Sequence, residues 1–327
     1  MRELIKSFPL QLKNSITSGK IHGDVNKEKT ISSIVVCGMG GSGIGGKIVS
    51  EWIRKELKVP FICHNSYGLP EFSNEQTLVI ISSYSGNTEE TLSAMEVALS
   101  RQCQIACITS GGKVKSWSEK YKIPYITIEG GLPPRSQFGQ STVQLCRILN
   151  SYGIIDNSIF NKLELAAQKL EVNQDEIEKD ALGFATQLSN SIPIIYSSSD
   201  YEGVAIRWRQ QIGENSKMLC WHHQFPEMNH NELVGWEGSD NRFSAIMLQN
   251  EDDAERVKVR MEVCKEIFKE KGTQVVEIDS WGENAIEKSL YLVHLGDWIS
   301  LHLAEINGTD PVDIKNIDFL KNKLEKI

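Results

Sequence analysis

The sequence predicts an α/β protein of two tandem halves, each built round a parallel sheet. Three observations carry that expectation. Apolar runs of strand length alternate with segments of helical period through the first half, the pattern of βαβ units. Two of those strands end in turns crowded with glycine or hydroxyl side chains, CGMGGSGIGG at 37–46 and SSYSGNTEET at 82–91. A charged helical stretch over 154–190 then gives way to a second strand series that starts at IPIIYSSS. The division expected from this is 1–153, a first domain with an N-terminal helix, and 154–327, a helical connection, a second domain and a C-terminal helix.

Taken in order, SSIVVCGM reads as a buried strand, and GGKIVSEWIRKEL as a helix with Ile48, Trp52 and Ile53 on one side. VPFICHN and TLVIISSYS are the next strands. TEETLSAMEVALSRQ opens with two acids in its first turn, where the helix dipole favours them. QIACITS and IPYITIE continue the strands. In the second half, the helix EGVAIRWRQQIGENSKM follows the strand IPIIYSSS. Strands SAIMLQ and TQVVEI come next, then the long amphipathic helix NAIEKSLYLVHLGDWISLHLAEIN and the short DIKNIDFLKNKLEK. No sequence repeat links the halves, so their similarity is one of plan.

The chain has 327 residues, enough for two ordinary cores, with 40% hydrophobic and 24% charged residues. A net charge of −8 argues against a nucleic-acid or anionic-membrane partner, so any anion bound here must be captured locally. The cysteines, at 37, 63, 103, 107, 146, 220 and 264, are odd in number and contain no C-x-x-C pair. That suits reduced thiols in the cytoplasm better than disulfides or zinc. The opening MRELIKSFPLQLKNSI is amphipathic and interrupted, so neither a signal peptide nor a membrane span is expected.

Gly38, Gly40 and Gly43 satisfy the dinucleotide pattern G-x-G-x-x-G. A dinucleotide site also needs an acid at the end of the second strand to hold the ribose. That strand ends in His64, Asn65 and Ser66. The third strand instead brings Ser82, Ser83, Ser85 and Thr88 ahead of a helix, and hydroxyls beside helix N-termini cradle phosphate without a basic residue. A plain turn with Thr88 as N-cap accounts for Thr88 and leaves the other hydroxyls unexplained. HHQFPEMNHNE has three histidines and two glutamates but no helical H-E-x-x-H spacing, so no metal is expected.

The pair GMGGSGIGG and SSYSGNTEET resembles the sugar-isomerase (SIS) domain, a doubly wound, parallel-sheet, flavodoxin-like fold that binds phosphosugars. LPPRSQFG at 132–139, GENSK at 213–217, PEMNHNELVGW at 226–236 and a terminal segment containing Asp310-Pro311 extend the match along nearly the whole chain. Together they resemble the bifunctional phosphoglucose/phosphomannose isomerases, of the phosphoglucose isomerase superfamily. The resemblance implies two tandem SIS domains and an aldose–ketose isomerase acting through an enediolate on glucose 6-phosphate and mannose 6-phosphate, with fructose 6-phosphate as product, without cofactor. It also implies a cytoplasmic homodimer with shared sites and a place in glycolysis and gluconeogenesis.

Such a reaction needs a proton-shuttling base, a ring-opening group and positive charge beside the enediolate oxygens. By the resemblance Glu214 is the base, His230 assists ring opening from the other subunit, and Arg135 stabilises the enediolate. A ring-opening lysine on the last helix is Lys321, with Lys315 the alternative register. Gly41, Ser42, Ser83, Ser85 and Thr88 hold the phosphate. Each has an ordinary counterpart: a salt-bridged surface glutamate, a loop histidine, a basic turn, solvated helix lysines. Some bifunctional relatives carry a threonine early in the terminal segment that makes room for water or the other epimer. Here Thr309 precedes Pro311, and Val312, Asp313 and Ile314 follow it, so the resemblance supports glucose 6-phosphate more firmly than mannose 6-phosphate as substrate. A different phosphosugar isomerase would not require Glu214, His230 and Arg135 together. A non-catalytic phosphosugar sensor would keep the hydroxyl turns and lose the base.

Overall fold

The computed structural model describes residues 1–324 and Lys326. The strands among them are β1 (Ile21–His22), β2 (Ser33–Cys37), β3 (Phe61–His64), β4 (Thr77–Ser82), β5 (Gln104–Thr109), β6 (Tyr125–Thr127), β7 (Ile192–Ser198), β8 (Trp221–Phe225), β9 (Phe243–Gln249) and β10 (Gln274–Asp279). They form two sheets, ordered β1-β6-β5-β4-β2-β3 and β10-β9-β7-β8. Every pairing is parallel except β1 with β6. Setting β1 aside, the first sheet runs second-first-third-fourth-fifth in chain order, which is the flavodoxin-like winding; the second follows the same plan one strand shorter. The two-SIS, doubly wound expectation therefore holds in both sheets. β2, β4 and β5 are buried at every residue, which is why their sequences are continuous apolar runs instead of alternating ones.

The chain divides into two compact units. One comprises residues 6–172 and 282–290, the other 1–5, 173–281 and 291–327. The change-over near 172 lies later than the 153/154 break read from composition. The helix Ser158–Val172 buries Ile159, Leu163, Ala166, Ala167 and Leu170 and packs on the helix Phe8–Ser18 of the first unit. Its charged outer face made it look like a connection.

Local differences have physical reasons. The helix Gly40–Trp52 begins inside the glycine run, earlier than low glycine propensity suggests, because tertiary approach to neighbouring backbone decides there. β8, WHHQF, was not foreseen. It is an edge strand paired only with β7, and its polar composition hides the strand pattern.

In the second unit, the helix Glu202–Ser216 docks along the later part of the helix Ala285–Ile306. Arg207, 2% exposed, donates to Asp297 Oδ2 at 2.6 Å, and Gln211 Nε2 donates to Asp297 Oδ1 at 2.9 Å. Trp208 Nε1 donates to the Leu292 carbonyl at 2.8 Å. Asn215 Nδ2 reaches Ser300 Oγ at 2.9 Å, and Ser216 Oγ the Ser300 carbonyl at 2.7 Å. Residues 207, 208, 211 and 215 share one helical face.

Gly296 is what lets the Trp208 indole lie against the long helix: a Cβ there would come within 2.6 Å of the ring's Cδ1. Intrinsic propensity favours alanine over glycine by about 1 kcal/mol, but overpacking a buried contact costs about 1–3 kcal/mol. Gly296→Ala is therefore expected to lower the thermal unfolding midpoint, despite the better helix former. A variant as stable as the parent would show that the indole has room to move.

Candidate active site

The first sheet reverses its winding direction between β2 and β4, and open parallel sheets bind ligands in the crevice at that switch, beyond the strand carboxyl ends. The two hydroxyl- and glycine-rich turns meet there. Ser82 Oγ donates to the Ser42 carbonyl at 2.8 Å, and the Tyr84 amide donates to Ser42 Oγ at 3.1 Å. Ser83 Oγ donates to Thr88 Oγ1 at 3.1 Å, and Ser85 Oγ accepts from the Asn87 amide at 3.2 Å. Thr88 does occupy the N-cap of the helix Glu89–Ser100, yet its side chain makes no capping bond; it faces Ser83 instead. The capping account of this residue is thus positional only.

Arg135 joins the same crevice from the short 3-10 helix Pro134–Gln137. A Cβ on Gly41 would lie 3.0 Å from Arg135 Cα and 3.2 Å from the Pro134 carbonyl oxygen, so the glycine is what admits this loop. Arg135 is 4% exposed, which a basic surface turn would not be. Tyr84 completes the junction, its hydroxyl accepting from the Leu132 amide at 3.0 Å. Tyr84 is a residue that sequence reasoning passed over, although an aromatic set among serines was its visible signal. Where a dinucleotide enzyme places an acid after its second strand, Asn65 donates its amide to the Gly38 carbonyl. The glycine loop is thereby held by an amide, not offered to a ribose.

The second sheet has its own switch between β7 and β9, and there carboxylates line the crevice. Ser198 Oγ hydrogen-bonds Asp253, which is 5% exposed, and Tyr201 donates its hydroxyl to Asp252 at 3.0 Å. Burial pushes the Asp253 carboxyl above its usual range. Serines follow this strand too, but a carboxylate of the same unit takes Ser198.

Glu214 sits in the last turn of Glu202–Ser216, about 20° round the helix from Arg207 and about 100° from Asn215, at the edge of the buried face. Half-exposed, it lines a cavity of about 400 Å³ together with Gly213, Lys217, Asp313, Ile314 and Lys315. Arg207 in the same helix is committed to Asp297 in the core. Lys315 opens the helix Lys315–Leu324 and pairs with Asp313 at 2.7 Å, holding that carboxyl below its usual range while its own ammonium is raised. Lys321 lies two turns further on, exposed, and does not line the cavity. Thr309 Oγ1 is 3.5 Å from the Ser216 carbonyl, beside the end of the Glu214 helix.

His230 ends the short 3-10 helix Glu227–His230 that follows β8, and it is exposed. Its neighbours are fixed. Met228 and Trp236 are buried in the core of the second sheet with Leu233 packed against them, so these three apolar residues of PEMNHNELVGW serve their own domain, while Val234 is exposed. Asn229 accepts from Arg260 at 3.1 Å, Asn231 caps the next helix by accepting from the Glu232 amide at 2.6 Å, and His223 Nδ1 pairs with Glu232 at 2.9 Å. Among the described residues, no three His, Cys, Asp or Glu side chains are grouped to hold a metal ion.

The structure thus brings Gly41, Ser42, Ser83, Ser85, Thr88 and Arg135 together in one unit. In the other it brings Glu214 and Lys315 together, with His230 on a separate loop. Residues 29–120 match the SIS domain, and residues 177–324 match the bacterial phospho-glucose isomerase C-terminal SIS domain. Among solved structures, the C-terminal domain of glucosamine-fructose-6-phosphate aminotransferase from Francisella tularensis aligns with a TM-score of 0.74 at 17% identity, covering 96% of this chain and 97% of that one. That likeness establishes the fold. A bifunctional phosphoglucose/phosphomannose isomerase from Caldicellulosiruptor bescii is 37% identical over 100% of this chain and 99% of its own length. One from Aquifex aeolicus is 36% identical over 93% and 94%. At that identity and coverage, the chain belongs to the family of bifunctional phosphoglucose/phosphomannose isomerases.

Proposed function

We propose that this protein is an aldose–ketose isomerase that interconverts glucose 6-phosphate and mannose 6-phosphate with fructose 6-phosphate. The observation that carries the reading is Glu214: a carboxylate on the last turn of a helix locked by buried bonds, half-open to a cavity it shares with a lysine. In this mechanism the Glu214 carboxylate takes the proton from C2 of the open-chain aldose and returns it to C1, the electron pair moving through the enediolate. The Arg135 guanidinium stands beside the enediolate oxygens as negative charge grows there. The hydroxyls of Ser42, Ser83, Ser85 and Thr88, with the backbone at Gly41, hold the phosphate at the first sheet's switch. The position of Lys315 beside Glu214 supports it, over Lys321, as the lysine that assists ring opening.

His230 is the partner subunit's contribution in this reading, within a homodimer of two equivalent sites. Its exposure supports that role: the turn is anchored from below by Met228 and Trp236 while the imidazole stays outside. Seven free cysteines, and the lack of any helix among the described residues long and apolar enough to cross a membrane, support a cytoplasmic site of action in hexose-phosphate metabolism, glycolysis and gluconeogenesis included.

Glu214→Gln keeps the shape and removes the proton acceptor. It is expected to lower kcat and kcat/KM together by about 10²- to 10⁴-fold with either aldose, in a coupled assay for fructose 6-phosphate. Near-parental turnover would exclude Glu214 as the shuttle. A crystal soaked with sugar phosphate is expected to carry the phosphate against Ser42, Ser83 and Arg135. A phosphate seated elsewhere would sink that assignment. For the shared site, inactive His230→Ala and Glu214→Gln subunits are mixed under conditions of proven subunit exchange. Regained activity supports exchange of His230 between subunits, and activity at background rejects it.

A further inference from the structure

Lys217 occupies a position where glycine is the common residue. It follows the helix Glu202–Ser216 with φ 56° and ψ 33°, the left-handed conformation that crowds a Cβ. Its side chain accounts for its presence. Nζ donates to the Glu214 carbonyl at 2.7 Å and to the Asp310 carbonyl at 2.6 Å. The first bond closes the end of its own helix, a service many C-terminal lysines supply. The second reaches 93 residues along the chain, to the segment that joins the long helix Ala285–Ile306 to the last one.

That segment is a chain of short turns leading to the cavity wall. Asp310 Oδ1 accepts from the Val312 amide at 2.8 Å, and Asp313 Oδ1 accepts from the Lys315 amide at 3.0 Å. Asp313, Ile314, Lys315, Asn316 and Ile317 then face Glu214 across the cavity. The helix Lys315–Leu324 buries none of its side chains, so it has no core of its own to hold it in register. Its alignment is set at its N-terminal end, by the turns that Lys217 ties down.

We propose that Lys217 is a positioning residue: its ammonium bridges the Glu214 and Asp310 carbonyls and latches the terminal helix, with Lys315, across the cavity from Glu214. The proposal rests on the reading of Glu214 as the base. It also states why a lysine is kept where the backbone prefers glycine: the latch needs a cation that can reach two carbonyls at once.

Lys217→Gly separates the two demands, since it relaxes the backbone and removes the ammonium. In the full-length protein, this variant is expected to unfold no earlier than the parent. Amide hydrogen exchange over 311–320 should nevertheless quicken about tenfold or more, while β7 and β9 exchange as before. Turnover should fall about 10- to 100-fold with little change in KM, because misplacement acts on the reacting geometry and the phosphate cradle lies elsewhere. Lys217→Arg, which keeps a long cationic donor, should restore slow exchange and most of the turnover. Parental exchange at 311–320 in Lys217→Gly overturns the latch. Faster exchange with unchanged turnover overturns its bearing on catalysis, and so does lost turnover with parental exchange. Glu214→Gln in the same experiment should exchange slowly while turning over poorly. An active Glu214→Gln would overturn the base assignment alone, since the exchange readout decides the latch independently.

Discussion

A buried carboxylate, Asp297, sets the position on which the chemistry of the second unit depends. At 5% exposure it accepts from Arg207 and Gln211, two residues a helical turn apart on the helix that ends in Glu214. Replacing a buried ion pair by apolar side chains of similar volume is often neutral for stability, so its presence is better explained by register than by energy. With Arg207 and Gln211 both answering to one carboxylate, the helix can neither slide nor turn. Trp208 on Leu292 and Asn215 on Ser300 repeat the constraint along the same face. Glu214 inherits an azimuth from that stripe, just off the buried side, where a carboxylate is held still and remains reachable.

Much of this was legible in the sequence, and the reasons are specific. β2, β4 and β5 lie buried on both faces, so their runs of Val, Ile, Leu and Cys announced a parallel sheet. The turns after β2 and β4 announced an anion cradle because hydroxyls and glycines cluster there beyond what turn geometry needs. Other features were not readable. Arg135 is reached through the resemblance of LPPRSQFG, whereas its burial shows only once Gly41 is seen against its backbone. β8 carries two histidines and a glutamine, and an edge strand with a polar side leaves no alternation to find. Lys217 and Asp310 meet through a carbonyl, and backbone partners leave no trace in residue identity. The choice between Lys315 and Lys321 was beyond periodicity too. The helix carries an apolar stripe, Ile317, Leu320 and Leu324, but that stripe is exposed, so it does not fix which lysine faces inward.

The acidic lining at the switch of the second sheet shows how a duplicated plan diverges. Both sheets wind alike and both place serines after their first parallel strand or its neighbour. In the first, the hydroxyls bond one another and backbone amides. In the second, Ser198 is taken by Asp253 and Tyr201 by Asp252. A few acids at one loop thus give the second crevice a different chemistry, in a unit that presents Glu214 and His230 elsewhere.

That difference bears on counting. Two domains of one architecture suggest two equivalents of bound anion, and a saturation curve would ordinarily be fitted that way. At the second crevice, with Asp252 and Asp253 bonded to Tyr201 and Ser198, an anion meets carboxylates where the first crevice presents hydroxyls and amides. The two halves of the molecule thus differ in what they offer an anion, although they are alike in winding.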